Sequence, residues 1–195
     1  MADGPTGDLL TGPLFPPDIF KQPSQGLYTF PAILEREGQE PLVALVAGHY
    51  FQAAMTLKAQ PLWYKLPVVG EARCAQEAFL KRPDGTWLMG WGRQNGSFAC
   101  LNVADGVARW ELPLDASASD AAVCDVDGNG APDFVFGTSH GRLQAVTDTG
   151  DRGDPLWSLE LGGAVGPPIA ADFDNDGASE LAVATSDGRV YLLDN

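Results

Sequence analysis

The stretch Asp125–Asp133, DVDGNGAPD, recurs 47 residues later as Asp172–Glu180, DFDNDGASE. In both, oxygen-bearing side chains stand at positions 1, 3, 5 and 9, and glycine stands at position 6. Alternate residues turn their oxygens toward one point when such a loop coils, and glycine permits the sharp bend. This is a donor set for a hard cation, since calcium takes roughly six to eight oxygens at about 2.3–2.6 Å. The expected ligands are Asp125, Asp127, Asn129 and Asp133 with the Ala131 carbonyl, then Asp172, Asp174, Asp176 and Glu180 with the Ala178 carbonyl. Two Ca2+ sites are therefore expected. Magnesium fits less well, because it holds to a rigid, water-rich octahedron. An EF-hand would need Glu at position 12 and flanking helices. Position 12 is Phe136 or Val183, each within an apolar run that reads as a strand. The competing reading is an acidic turn without metal. Three or four carboxylates repel in one short loop without a cation, and recurrence at equivalent positions weakens that reading further.

The loops belong to a longer repeat. Trp63, Trp110 and Trp157 are each 47 apart. Gly38, Gly85, Gly130 and Gly177 are spaced 47, 45 and 47, and Gly48, Gly96, Gly141 and Gly188 are spaced 48, 45 and 47. A period of this size marks a repeat architecture. In the last copy, 155–161 reads as a first strand, 168–171 begins a second, 181–185 is a third and 189–193 a fourth, with Asp187 and Gly188 as a hairpin turn. The third copy follows this plan. The second is degenerate, and the first runs from about Phe15 to Lys58. Glu71–Lys81 has the composition of a helix, but the repeat register places it on a second strand.

Four short strands in a unit of roughly 45 residues make a β-propeller blade. The expected fold is all-β: a tail at 1–12 and blades at 13–60, 61–108, 109–154 and 155–195. A solenoid of sheets is the alternative. Four copies fit a four-bladed ring, or half of a larger ring completed by a second copy in a homodimer or by blades outside this sequence. In the other two copies the loop positions hold Leu80, Arg82, Asp84 and Leu88, and Ile33, Glu35, Glu37 and Pro41, which cannot cage calcium.

Composition supports a globular, turn-rich chain. Hydrophobic residues make up 45%, and Gly (23) and Pro (15) are frequent, as a chain that reverses often requires. A net charge of −14 repels phosphate backbones and argues against nucleic acid. No apolar run approaches the roughly 20 residues that span a bilayer, so no membrane insertion is expected. Residues 1–20 carry neither a basic n-region nor an apolar h-region, so no signal peptide is expected. Cys74, Cys100 and Cys124 are an odd set without zinc spacing. They read as small buried strand residues, with a disulfide left open.

Residues 134–146 (FVFGTSHGRLQAV) and 181–194 (LAVATSDGRVYLLD), each following an acidic loop, resemble the FG-GAP (VCBS) repeats of integrin α-subunit propellers and of many bacterial extracellular proteins. The segments 155–161 (PLWSLEL) and 102–112 (NVADGVARWEL) resemble the related quinoprotein-like blade. The resemblance is specific over about 109–195. It implies a propeller with calcium in loops between the second and third strands of a blade, a role in adhesion, ligand binding or scaffolding, and a secreted or cell-surface location.

Other signals are weaker. Arg152, Gly153 and Asp154 form an RGD tripeptide, which reads first as a plain turn. His49 and His140 stand beside hairpin glycines and have no pattern for nucleophilic catalysis. The tryptophans read as blade-packing residues rather than platforms for a sugar or quinone. Neither G-x-S-x-G nor a phosphate-binding G-x-x-x-x-G-K is present. The leading expectation is a non-catalytic calcium-binding module for a protein or glycan ligand. The alternatives are part of a propeller enzyme, such as a quinone-dependent dehydrogenase or polysaccharide lyase, and a lectin-like propeller.

Overall fold

The computed structural model describes residues 31–47, 51–58, 60–65 and 76–194. Every regular element among them is a strand. β1 (Ala32–Leu34), β2 (Leu42–Ala47), β3 (Phe51–Thr56) and β4 (Pro61–Lys65) form a first antiparallel sheet in chain order. A second is built from β5 (Ala78–Lys81), β6 (Trp87–Arg93), β7 (Ser97–Asn102) and β8 (Ala108–Pro113). A third holds β9 (Ala118–Cys124), β10 (Asp133–Thr138), β11 (Arg142–Asp148) and β12 (Gly153–Glu160). The fourth has three described strands, β13 (Ile169–Ala171), β14 (Glu180–Ala184) and β15 (Val190–Leu193). These are the all-β meanders of a propeller blade, as expected. The chain divides into two compact units, Met1–Pro67 with Ala104–Gly106, and Val68–Val103 with Val107–Asn195.

Strand order departs from the sequence reading at one point. The tryptophan strand, read as the first of each copy, is the last strand of the preceding sheet: Trp63 lies on β4, Trp110 on β8 and Trp157 on β12. A repeat has the same period wherever it is cut, so spacing alone cannot set its phase. Hydrogen bonding sets it, with Ala54 opposite Trp63, Cys100 opposite Trp110 and Ala145 opposite Trp157. Of the helix-like stretch at 71–81, Ala78–Lys81 forms β5, a first strand, and 71–75 lies outside the described residues. The tail at 1–12, Cys74 and His49 lie outside them too.

Within the second unit, the core forms where sheets stack. Phe98 on β7 stacks on Phe136 of β10 with centroids 4.4 Å apart and planes at 5°. Phe134 meets Phe98 at 5.4 Å and the edge of Trp110 at 6.2 Å. Leu80, Leu88 and Val146 complete this layer between the second and third sheets. Val126, Val135, Leu143 and Ala145 pack against Val165, Leu181 and Val183 between the third and fourth. β10 is buried along its whole length because it sits between two such layers. Its run DFVFGT is accordingly almost continuously apolar rather than alternating.

Close approach depends on missing side chains. A Cβ on Gly90 would lie 2.7 Å from Phe134, and one on Gly137 would lie 2.5 Å from the Val165 carbonyl oxygen. Two of the repeat tryptophans, Trp63 and Trp110, likewise need a glycine beneath the ring. A Cβ on Gly106 would lie 2.5 Å from the Trp63 ring, and one on Gly153 would lie 2.7 Å from Trp110. The RGD tripeptide runs from the exposed β11–β12 turn into β12. Gly153 is buried, and Arg152 pairs with Asp154 at 2.8 Å. His140 is exposed in a turn, as read from sequence.

Asp148 at the end of β11 fixes Trp110. Its carboxylate, 3% exposed, accepts from Trp110 Nε1 at 2.7 Å and pairs with Arg82 at 2.7 Å and Arg109 at 3.3 Å. Cys100 and Cys124 are free and buried in strands. Burial pushes the Cys124 thiol up to about 11 and the Cys100 thiol higher still.

The Gly137→Val variant overpacks the contact with Val165. It is expected to lose about 2–3 kcal/mol, a melting point lower by roughly 5–10 °C on calorimetry. Raised thiol pKa values and burial make Cys100 and Cys124 inert. In the Cys74→Ser variant, no thiol should react with a soluble disulfide reagent at pH 8 until denaturant is added.

Candidate functional site

The two acidic stretches form the first-to-second-strand loops of the third and fourth sheets, β9–β10 and β13–β14. The resemblance implied loops between second and third strands. The difference follows from the same shift of phase described above. Position 12, Phe136 or Val183, lies within a strand, as the sequence indicated.

Both loops coil in one pattern. Asp125 Oδ1 and Asp127 Oδ1 each accept from the Asn129 N–H at 3.1 Å, and Asp172 Oδ1 and Asp174 Oδ1 do the same from the Asp176 N–H at 3.1 Å. Gly130 N–H donates to Asp125 Oδ2 at 2.7 Å, and Gly177 N–H donates to Asp172 Oδ2 at 3.0 Å. Ala131 and Ala178 donate to the side-chain oxygen at position 5, at 2.7 and 2.8 Å. The acid at position 9 accepts from the backbone at position 2: Val126 N–H donates to Asp133 Oδ2 at 3.3 Å, and Phe173 N–H donates to Glu180 Oε2.

The backbone takes left-handed conformations at two places. Position 6 is glycine, with φ of +86° at Gly130 and +96° at Gly177. Position 4 is Gly128 at +70° and Asn175 at +65°. The sequence reading gave position 4 no role. The signal was present, since Gly and Asn are the residues that tolerate this region most readily.

The donors converge. Ligand atoms of Asp125, Asp127 and Asp133 lie within 4.8 Å of one another, as do those of Asp172, Asp174, Asp176 and Glu180. Among the described residues these are the two such groups. At the turns of the first and second sheets, Gln39 N–H donates to the Arg36 carbonyl and Gly85 N–H to the Arg82 carbonyl, and no acidic cluster forms there among the described residues. Most loop carboxylates face solvent, but Asp133 is 0% exposed and Glu180 3%. Asp133 Oδ1 and Glu180 Oε1 are buried without a hydrogen-bond partner. Burial pushes the Asp133 carboxyl above the usual carboxylate range, with the charges of Asp127 and Asp125 adding to it. Desolvation and the charge of Asp176 also raise Asp174. The Gly130 N–H, in contrast, holds Asp125 below the usual range. A divalent cation fits this arrangement, because it would satisfy both orphaned buried oxygens and cancel the repulsion.

Residues 125–183 match the FG-GAP-like repeat family. No curated protein sequence matches the chain. Among solved structures, the chain is similar to BBS1N in complex with ARL6DN, at 13% identity and a TM-score of 0.58, covering 83% of this chain and 47% of that one. It is similar to BamB from Moraxella catarrhalis, at 16% identity and a TM-score of 0.56, over 87% and 48% of the two chains. It is similar also to the computationally designed Ika4 protein, at 14% identity and a TM-score of 0.55, over 86% and 92%. The fold is that of a β-propeller. The chain spans about half the length of BBS1N and of BamB.

Asp125→Ala removes the acceptor of the Gly130 amide and leaves the Asn129 amide with Asp127 Oδ1. Hydrogen bonds to charged groups contribute about 1.5–3 kcal/mol, so exchange of the Gly130 amide, followed by NMR, should speed up at least about tenfold, and that of Asn129 less.

Proposed function

We propose that this chain is a calcium-stabilised β-propeller module whose work is binding a protein partner rather than catalysis. The observation that carries the calcium reading is the pair of buried, partnerless oxygens, Asp133 Oδ1 and Glu180 Oε1, each beside a converging set of carboxylates. Asp125, Asp127, Asn129 and Asp133 would hold one ion, and Asp172, Asp174, Asp176 and Glu180 the other, with the Ala131 and Ala178 carbonyls as further donors. The ion supplies positive charge that lets each loop coil without self-repulsion. The chain contributes the rest. Position 9 lies at the start of the second strand of its sheet, so an ion held there joins the loop to the core.

Partner binding is supported by the family of the loop segment and by BBS1N, whose structure is a complex with ARL6DN. The resemblance extends the proposal to a glycan ligand, to adhesion at an extracellular or cell-surface site, and to a homodimer or further blades that complete a ring. A propeller enzyme, such as a quinone-dependent dehydrogenase or polysaccharide lyase, is the second reading.

Calcium that binds the folded state alone raises its stability by mass action, about 2.7 kcal/mol at a hundredfold excess over Kd. Isothermal titration should give two ions per chain, and chelator should lower the melting point by several degrees. Affinity rises with the number of charged ligands, so the four-acid loop at 172–180 should fill first. Glu180→Gln should remove that step and Asp133→Asn the weaker one. No calcium heat and an unchanged melting point in chelator would overturn the reading.

A further inference from the structure

The β5–β6 loop of the second sheet lacks the acids of its counterparts but keeps their turn. Its positions 1, 3, 5 and 9 are Leu80, Arg82, Asp84 and Leu88. Position 6 is again a left-handed glycine, Gly85, with φ of +83°. Thr86 N–H at position 7 donates to Asp84 Oδ1 at position 5, at 2.9 Å, as Ala131 and Ala178 do in the acidic loops. What changes is the charge: a cation, Arg82, stands where Asp127 and Asp174 stand in the other two loops.

We propose that the Arg82 guanidinium is a built-in substitute for the ion. It ties this loop to the third sheet, so calcium governs the β9–β10 and β13–β14 loops and leaves the junction between the second and third sheets in place. The contrast between loops rests on the calcium reading and deepens it; the bridging role of Arg82 stands without it.

The geometry is that of a bridge. Arg82 Nε lies 3.6 Å from Asp84 Oδ2 of its own loop, and Nη1 lies 2.7 Å from Asp148 Oδ2 at the end of β11. Asp148 is 3% exposed, and a carboxylate buried so deeply needs positive charge beside it. Arg82 and Arg109 supply that charge, and Trp110 Nε1 adds a hydrogen bond. The loop and the last strand of the second sheet are thus held on one carboxylate of the third. In the acidic loops position 9 is a buried carboxylate with an orphaned oxygen, which an ion would join to the loop. Here position 9 is Leu88, fully buried and apolar, and offers an ion nothing. A side chain, unlike an ion, cannot dissociate or be chelated away. The first sheet also closes its turn with a guanidinium: Arg36 Nε and Nη2 donate to the Glu40 carbonyl at 3.0 and 2.5 Å.

The test compares the full chain with its Arg82→Met and Arg82→Lys variants, each melted in calcium and in chelator, with hydrogen exchange followed by NMR. In the unaltered chain, chelator should speed exchange of the Gly130 and Gly177 amides at least about tenfold. It should leave the Thr86 amide and the Trp110 indole N–H within about twofold of their rates in calcium. Arg82→Met should lower the melting point by about 5 °C or more, equally in calcium and in chelator, and speed exchange of the Trp110 indole N–H. Arg82→Lys keeps the charge and should recover at least about half of the loss; it also carries the test if Arg82→Met does not fold. Thr86 exchange that rises with chelator as far as that of Gly130 would overturn the proposal. So would Arg82→Met melting like the unaltered chain, or Arg82→Lys melting as low as Arg82→Met, which would make packing rather than charge the role of Arg82. Chelator without effect on any loop would overturn the metal reading and the contrast between loops, and the two variants would still decide the bridge.

Discussion

Stacking one sheet on another is the constraint from which most of this structure follows. A blade alone has one apolar face too many, and burying it requires a neighbour at close range. In the second unit the neighbours approach so closely that glycine is required at the contact, at Gly90 beneath Phe134 and at Gly137 beneath Val165. The aromatic layer of Phe98, Phe134, Phe136 and Trp110 fills what remains. The second and third sheets thus solve the same packing problem, each with a glycine that the next sheet approaches.

The acidic loops are joined to this core by one residue each. Asp133 and Glu180 open the second strands of their sheets and are buried with them, while the other acids of each loop are largely open to water. Each also accepts the backbone amide at position 2 of its own loop. Loop shape and core packing therefore meet at a carboxylate with one oxygen satisfied and one not. That unequal satisfaction makes the loops chemically distinct from ordinary surface turns, in which acids point outward and lose little by being charged.

Much of this was legible beforehand. Strand identity, hairpin glycines and the convergence of acids on two loops follow from patterns a few residues long, which local chemistry dictates. The phase of the repeat was not legible, because a cyclic pattern looks the same from any starting strand; only the pairing of Ala54, Cys100 and Ala145 with the tryptophans fixes it. The Asp148 cluster was hidden for another reason. Its partners Arg82, Arg109 and Trp110 stand 66, 39 and 38 positions away, beyond the reach of any local pattern. The left-handed residues at position 4 were hidden only by their difference, one a glycine and the other an asparagine serving the same turn.

The recurring tryptophan-on-glycine junction carries an evolutionary consequence. Trp63 meets Gly106 and Trp110 meets Gly153, each pair 43 residues apart and the second displaced by 47 from the first. A duplication or excision of one whole period within the gene would regenerate the same junction at the splice, with no new surface to optimise. Blade number can thus drift between descendants of a common ancestor while the contacts between blades stay the same.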